Sequence, residues 1–335
     1  MKKSILIILG AFALTFNTEA QEGLEGYLLA DKNDRIQLIE AHTSPAMKGL
    51  IYSMNNGWYH TAKVHKTLGF DISIGLNASL VPEEDEIFTL SGLTSINPAS
   101  GGNITAATLA GSEDNRPVTT VNFIENGETY STTFNAPGGK KENLLLNAIP
   151  SPTVQVSLGL PAKFEISLRV TPKVGKNDVQ GSLFGVGLKK EITNWFGPMG
   201  ATPLHVSLLA AYTTMNVEYD ITGNEDVSVQ NGLAEFKLNS YTVQAIASLN
   251  LPFINLYGGI GYGAGNAALK MLGDYTLNYG PLSRTITNPI DSAFDAGSFR
   301  TTLGTRLSLG FLKIFGSFTL QEYNTANLGI AISLR

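Results

Sequence analysis

One histidine in this chain has a hydroxyl neighbour at a spacing that could support catalysis. His205 and Ser207 lie two residues apart in an alternating stretch, so a strand would place both side chains on one face. A histidine beside a serine can act as the general base that activates the hydroxyl as a nucleophile, as in hydrolases, and in a membrane protein the pair would make a membrane-embedded hydrolase. Such pairs are common on strands, and the sequence contains no GxSxG, HExxH or P-loop motif. We predict that the protein is not an enzyme and has no cofactor.

Metal and nucleotide sites are not indicated either. His60 and His65 are five residues apart, the wrong phase for one face of a strand. The chain has no cysteine, so no cysteine–metal spacing exists. The run GGIGYGAG at 258–265 has a dinucleotide-like glycine spacing, but it lies within a predicted strand that no helix follows. Glycines there suit the curvature of a closed barrel. We predict no metal site.

The stretch KFEISLRVT at 163–171 poses the question of which way the sheet faces. Its apolar residues fall on one strand face: Phe164, Ile166, Leu168 and Val170. Its polar residues fall on the other: Glu165, Ser167, Arg169 and Thr171. The pattern fits a soluble sandwich with its apolar face in a core. It fits equally a membrane barrel with its apolar face towards lipid and its charges in a lumen.

Composition, strand length and loop asymmetry favour the membrane barrel. Charged residues make up 15% of the chain, below the roughly 25% of soluble domains. Tight turns at 160–162, 251–253 and 310–311 lie at one end, and the long polar connections 82–151, 220–232 and 273–296 at the other. We predict an all-β fold, an antiparallel transmembrane β-barrel of 10–14 strands. The hairpin signal around Glu125-Asn126-Gly127 is either extracellular or two further wall strands.

Three segments follow from this interpretation. Residues 1–20 have the basic start and apolar run of a signal peptide. Residues 21–56 form a short N-terminal helical plug or a periplasmic cap, and residues 57–335 the barrel, with a long extracellular loop at 82–151. Ser44-Pro45 predicts a helix start, and 31–41 another short helix before it. The apolar face of the plug is predicted to comprise Met47, Leu50, Ile51 and Met54.

The inverted wall places a set of polar side chains in the lumen: Asp71, Glu165, Arg169, His205, Gln244, Arg300, Arg306 and Lys313. They either form paired ladders that fill a narrow barrel or line a permeation route or ligand pocket. In either case a charge at Leu168 should destabilise the barrel by roughly 2–4 kcal/mol at mid-membrane depth. Arg169→Gln should leave folding nearly intact and change what the lumen admits.

Residues 41–74 resemble the start of an uncharacterised family of bacterial outer-membrane β-barrel proteins, a domain of unknown function. Four motifs carry the resemblance: Ser44-Pro45, Asn56-Gly57-Trp58-Tyr59, Thr61-Ala62-Lys63 and Gly69-Phe70-Asp71. More distantly, a helical segment ahead of a barrel is similar to the long-chain fatty-acid outer-membrane transporter family, whose plug gates hydrophobic uptake. That resemblance implies a plug but assigns no ligand residue.

The predicted function is passage or binding of small hydrophobic molecules through a plugged lumen. The alternative is a non-transporting barrel that binds at the surface, or serves a structural role, through its long loops. The expected location is the outer membrane of a Gram-negative bacterium. The expected partners are outer-membrane lipid and a small hydrophobic ligand, with no nucleic acid, because the chain is mildly acidic and has no basic cluster. We predict a monomer.

Overall fold

Two helices precede a long run of strands. The computed structural model describes residues 24–99, 104–125, 127–176, 179–223, 227–279 and 282–334. Helix α1 spans Leu24–Leu29 and α2 spans Lys32–Met54. The strands are β1 (Phe70–Leu80), β2 (Ile87–Thr89), β3 (Ile96–Pro98), β4 (Thr105–Ala107), β5 (Val118–Glu125), β6 (Glu128–Asn135), β7 (Ala148–Leu160), β8 (Phe164–Lys176), β9 (Val179–Glu191), β10 (Leu204–Ile221), β11 (Val227–Asn250), β12 (Ile254–Tyr279), β13 (Leu282–Thr287), β14 (Ile290–Leu309), β15 (Leu312–Leu320) and β16 (Thr325–Leu334).

Ten of these strands close into an antiparallel barrel. The ring runs β11-β10-β9-β8-β7-β1-β16-β15-β14-β12 and returns to β11. The first and last strands pair in continuous register from Phe70↔Leu334 to Ser79↔Thr325. Strand β13 joins the far end of β12 as an eleventh member of the sheet. The predicted all-β barrel is therefore confirmed, with ten strands in its wall.

The apolar face of the wall points outward. On β8, Leu168 is 40% exposed and Val170 is 54% exposed, whereas Arg169 between them is 1% exposed. The same alternation repeats around the ring, with Ile72, Leu208, Leu256 and Leu303 among the exposed apolar side chains. A soluble sandwich would bury this face. The barrel is thus inverted, with lipid as the solvent of its apolar residues.

Aromatic residues mark both edges of the apolar band. At the turn end, Phe253 and Phe311 are exposed at tight turns, and Trp195 and Phe196 are exposed in the longer connection Thr193–Ala201. At the other edge, exposed aromatic side chains lie on four neighbouring strands: Tyr212, Tyr241, Tyr262 and Phe299. On β12 the band runs from 254 to 262, which at about 3.3 Å per residue and a tilt of about 40° spans roughly 20 Å. That height and the two aromatic girdles are typical of outer-membrane barrels.

Strands β10–β14 continue well beyond this band at the end opposite the tight turns, which we call the loop end. Their outward residues there are polar, such as Asn216, Glu218 and Lys270. The predicted long loops at 220–232 and 273–296 are therefore wrong in large part, because β10 ends at Ile221 and β11 begins at Val227. Polar residues that face water still pair along a ladder, so composition alone could not separate these strand extensions from loops.

The loop end carries a layer that we call the crown: residues 24–46, 82–99, 104–125 and 127–147. Strands β5 and β6 form a hairpin that pairs with β3, outside the barrel ring. The hairpin signal thus belongs to the connection and does not add wall strands. The predicted loop 82–151 ends too late, since β7 begins at Ala148. Helix α1 and the crown share one apolar core with the strand extensions, including Tyr27, Phe123, Tyr275 and Ile286.

Helix α2 runs unbroken through Pro45. The prediction of two helices with a start at Ser44 is wrong, because burial on both sides of the proline outweighs the lost backbone hydrogen bond. Near its start, the carboxylate of Asp34 accepts hydrogen bonds from the Ser95 amide at 2.6 Å and the Thr94 amide at 2.8 Å. Among the described residues, no helix is long and apolar enough to cross a bilayer.

Candidate functional site

The chain between α2 and β1, residues 55–67, runs through the barrel without regular structure, and we call it the plug segment. A segment of this kind has backbone amides and carbonyls that no helix or sheet satisfies. The side chains of the wall supply the missing partners. On β7, for example, the Gln155 amide donates to the Trp58 carbonyl at 3.2 Å. The lumen is therefore occupied by the protein's own backbone.

Arg169 on β8 grips the point where α2 ends. Its guanidinium donates to the carbonyls of Met54 at 3.1 Å and Asn56 at 2.9 Å, and to the Gln155 side chain at 3.0 Å. Burying an arginine is unfavourable unless its donors are satisfied, and here three bonds do so. Arg169 also lies 3.8 Å from the Trp58 ring centroid, in a cation–π contact.

Arg300 on β14 approaches the same turn from the opposite wall. It donates to the Asn55 carbonyl at 3.0 Å and to the Asn56 side-chain oxygen at 2.7 Å. The Asn55 side chain in turn donates to the Ala264 carbonyl on β12 at 3.0 Å. Two arginines from facing strands thus hold one turn of the chain at mid-lumen.

The wall makes room for Trp58 by omitting side chains. Gly185 and Gly187 on β9 face the indole, and a Cβ atom at Gly187 would come within 2.9 Å of the ring. Real Cβ contacts are essentially never that short, so the wall is shaped for this residue. The alternate glycines on β9 therefore form a seat for the plug segment.

Below Trp58, two histidines of the plug segment meet at one carboxylate. His60 Nε2 lies 3.1 Å and His65 Nε2 lies 3.4 Å from Asp71 Oδ2. This series of polar contacts continues on one side to Arg306, whose Nη1 is 3.0 Å from His60 Nδ1. Within the described ranges, no group of three or more His, Asp or Glu side chains is arranged to hold a metal ion.

The same series of polar contacts continues from His65 on the other side of Asp71. His65 Nδ1 lies 2.8 Å from Glu165 Oε2, and Lys189 Nζ lies 2.6 Å from Glu165 Oε1. Lys189 also donates to the Thr61 carbonyl at 3.3 Å. Charge is balanced across the lumen, because the two cations Arg306 and Lys189 are linked through the histidines to the two carboxylates Asp71 and Glu165. Chemically this series of contacts can hold the segment or pass protons along its length.

All eight polar residues predicted for the lumen lie on the inner side of the wall. Seven are buried, and His205 is mostly covered while bonded to Glu191 at 3.1 Å. Gln244 accepts from the Tyr59 hydroxyl at 3.1 Å, and Lys313 donates to the Gly310 carbonyl near a tight turn at 2.5 Å. Glu165 and Arg169 bind neighbouring elements and the plug segment.

The His205–Ser207 pair does not form a hydrolase dyad. Ser207 donates its hydroxyl to the Ala62 carbonyl at 2.5 Å, and His205 faces Glu191. Sequence reasoning missed the partners supplied by the plug segment: Asn55, Asn56, Trp58, His60, Thr61 and His65. The motif Asn56-Gly57-Trp58-Tyr59 was their one local signal, because a tryptophan and asparagines between a helix and a strand are unusual for a plain linker.

The predicted apolar face of the plug lies in the upper lumen. Met47, Leu50, Ile51 and Met54 are buried against wall residues that include Phe236, Leu238 and Phe294. These side chains pack directly on the wall. Two clefts of similar size lie outside this packed region. One, of about 560 Å³, opens at the tight turns beside Lys63, Arg306 and Phe311, and one, of about 540 Å³, lies between α2 and β14.

A family model covers residues 1–334. The chain belongs to the family of unknown function DUF6588. The predicted membership of an uncharacterised outer-membrane barrel family is thereby confirmed, while the likeness to fatty-acid transporters has no support here. No curated protein shows a significant sequence match to this DUF6588 chain.

Solved structures resemble this DUF6588 barrel at low identity. Ail, the attachment invasion locus protein of Yersinia pestis, is 10% identical over 80% of this chain and 100% of its own, with a TM-score of 0.28. The translocator domain of autotransporter NalP from Neisseria meningitidis is 8% identical over 86% and 93%, with a TM-score of 0.28. The Escherichia coli outer-membrane protease OmpT is 9% identical over 80% and 95%, with a TM-score of 0.27. All three are outer-membrane β-barrel proteins.

The prediction that the protein is not an enzyme is wrong as an exclusion. It rested on missing soluble-enzyme motifs, yet the outer-membrane barrels that resemble this chain include the protease OmpT. At 9% identity the resemblance gives no positive evidence of enzymatic activity in the DUF6588 chain.

Proposed function

We propose that this protein is an outer-membrane barrel whose lumen is sealed by its own N-terminal segment. The protein acts at the cell surface through its crown. The observation that carries the proposal is the continuous set of wall bonds along the plug segment, from Arg300 and Arg169 at mid-lumen to Glu165 near the turns. A ten-strand barrel is close to the size that side chains alone can fill. With the plug segment also inside the barrel, no route is left for a solute.

The crown supports the surface role. Its connection 82–147 carries nine acidic and three basic residues, so this part of the loop end is acidic. Tyr27, Ile96 and Phe123 of the crown are buried in the apolar core that it shares with the strand extensions, so the crown is a structured layer. A structured layer presents a defined surface to a partner, as loops on rigid scaffolds commonly do.

The setting of this function is part of the same proposal. Residues 1–20, which lie outside the described residues, act as a signal peptide for export. The barrel resides as a monomer in the outer membrane of a Gram-negative bacterium, with outer-membrane lipid against its apolar band. The low exposure of charge within that band, and the aromatic girdles at its edges, support this placement.

Electrical conductance tests the seal. Purified protein inserted into planar lipid bilayers should be silent at moderate voltage, and proteoliposomes should not swell in small sugars. Deletion of residues 21–56 removes α2 and the Asn55–Asn56 anchor, and should produce openings. Steady conductance by the intact chain would overturn the sealed-barrel proposal.

Passage of small hydrophobic molecules is the second candidate, with the plug as a gate. One observation favours it: the cleft at the turns reaches Arg306, which is bonded to His60 of the plug segment. A ligand there would touch the lower end of the seal. Mass spectrometry of lipid co-purified with the intact chain tests this candidate. Recovery of one lipid or fatty-acid species in stoichiometric amount supports it, and a bilayer-like lipid mixture counts against it.

A further inference from the structure

The N-terminal part of the chain enters the barrel from the loop end. Lys48 and Tyr52 on α2 both bond to Glu322, in the connection between β15 and β16 at that end. Gly49 packs against Ile149, at the start of β7 on the same rim. Helix α2 therefore has its first half in the crown and its last turns inside the mouth of the barrel.

From there the chain descends steadily to the tight turns. Asn55 bonds to Ala264 midway along β12. Tyr59 then meets Gln244 on β11, and Thr61 meets Ser248, which is two residues from the end of that strand. Finally the Leu68 amide donates to the Gly159 carbonyl beside the 161–163 turn at 2.9 Å. The segment crosses the full depth of the wall in one direction.

Resting on the outer-membrane placement proposed above, we propose that the barrel carries its own N-terminal segment across the outer membrane, so that residues 24–46 stand on the outer surface. Outer-membrane barrels place short turns in the periplasm and long connections outside. Strand β1 starts at the periplasmic end, at Phe70, and α1 packs in the crown through contacts such as Tyr27 on Phe134. An exported chain begins in the periplasm, so its N-terminal segment has to pass the plane of the membrane.

The connectivity fits this path. Strand β1 follows the plug segment directly and pairs with β16, so the closed ring has the segment inside it. Within the ring, the carbonyls of Asn56 and Asn55 accept from the buried Arg169 and Arg300 donors, which would otherwise have no protein acceptor there.

Single cysteines provide the test, because the chain has none. Lys32→Cys and Asn33→Cys report on the N-terminal segment, Glu84→Cys on the crown connection and Lys66→Cys on the turn end, and all four positions are exposed. Intact cells expressing each full-length variant are treated with a membrane-impermeant maleimide. Each value is normalised to labelling of the same folded variant in detergent.

We expect labelling of Lys32→Cys or Asn33→Cys to equal that of Glu84→Cys, with Lys66→Cys labelled after lysis alone. Labelling of Glu84→Cys without either N-terminal position overturns the crossing and leaves the surface role of the connection 82–147 standing. Labelling of Lys66→Cys without Glu84→Cys inverts the barrel and overturns both. Heat-modifiable gel mobility confirms that each variant is folded before it is scored.

Discussion

The guanidinium of Arg169 lies 3.8 Å from the ring centroid of Trp58, and this contact joins the wall to the plug segment. The two residues are 111 positions apart in sequence, and both are buried. Arg169 continues past the ring to the carbonyls of Met54 and Asn56. One side chain therefore fixes both the end of α2 and the orientation of the indole.

The first prediction concerns this arginine. Arg169→Gln should lower the free energy of unfolding by about 3 kcal/mol, because it removes charged hydrogen bonds and leaves buried carbonyls without donors. The sequence alone predicted that this substitution would leave folding nearly intact. The bonds to the plug segment are the reason that we now expect a loss of stability. Urea unfolding in detergent, followed by tryptophan fluorescence, measures the effect. Lys173→Gln, at an exposed ion pair further along β8, serves as the control and should change stability by less than about 1 kcal/mol.

The sequence could predict the wall because its signal is local. In β8 each lipid-facing residue is two positions from the next, so alternation alone indicates the outward face of Leu168. The plug contacts join positions far apart, such as Arg169 and Asn56, and no local pattern carries them. The sequence analysis predicted that His60 and His65 do not share a site, because a spacing of five residues is the wrong phase for one face of a strand. They lie in an irregular segment, where His60 and His65 can both turn towards Asp71.

The second prediction tests the lipid face at two heights. Leu168→Arg should destabilise the barrel by roughly 2–4 kcal/mol, because the charge would lie in the apolar band. Asn216→Arg, outward on β10 but beyond the Tyr212 girdle, should change stability by about 1 kcal/mol or less. Reversible unfolding from lipid vesicles compares the two variants. Equal effects would mean that the apolar band does not coincide with the bilayer.

The third prediction concerns pH and the crown. Burial lowers the pKa of His42 to about 4 from an ordinary 6.5, although a hydrogen bond to the Ala107 carbonyl partly opposes the shift. The unfolded crown therefore binds the proton more readily between pH 4 and 6.5. Stability should be highest above pH 6.5 and should fall by about 3 kcal/mol as the pH drops to 4.

Hydrogen exchange at the Leu109 amide, which donates to the His42 carbonyl, reports this opening. His42→Gln is the matched control, since its amide can still donate to Ala107 but does not titrate. The ratio of exchange rates between wild type and variant should therefore vary with pH in that window. A constant ratio would show that His42 does not govern crown stability.

The last prediction ties the plug to the wall. Thr61 Oγ1 and Ser248 Oγ lie 3.2 Å apart, so cysteines at both positions should form a disulfide without large backbone movement. The chain offers no competing thiol. Both positions are buried, so the protein is unfolded before maleimide treatment; intact mass should then show two reactive thiols in the reduced protein and none after oxidation, with each single variant keeping its one thiol.

The same lock separates a static seal from a movable one. In the Arg169→Gln background, the bonds from Arg169 to the Met54 and Asn56 carbonyls are lost, and this loss of the upper anchor of the plug segment should produce brief openings in planar bilayers. Oxidation of the Thr61→Cys/Ser248→Cys pair should suppress them, because the segment is then held covalently to β11 below that anchor. Openings that persist after complete oxidation would show that current passes without displacement of the segment, and the lumen would then not be sealed by it.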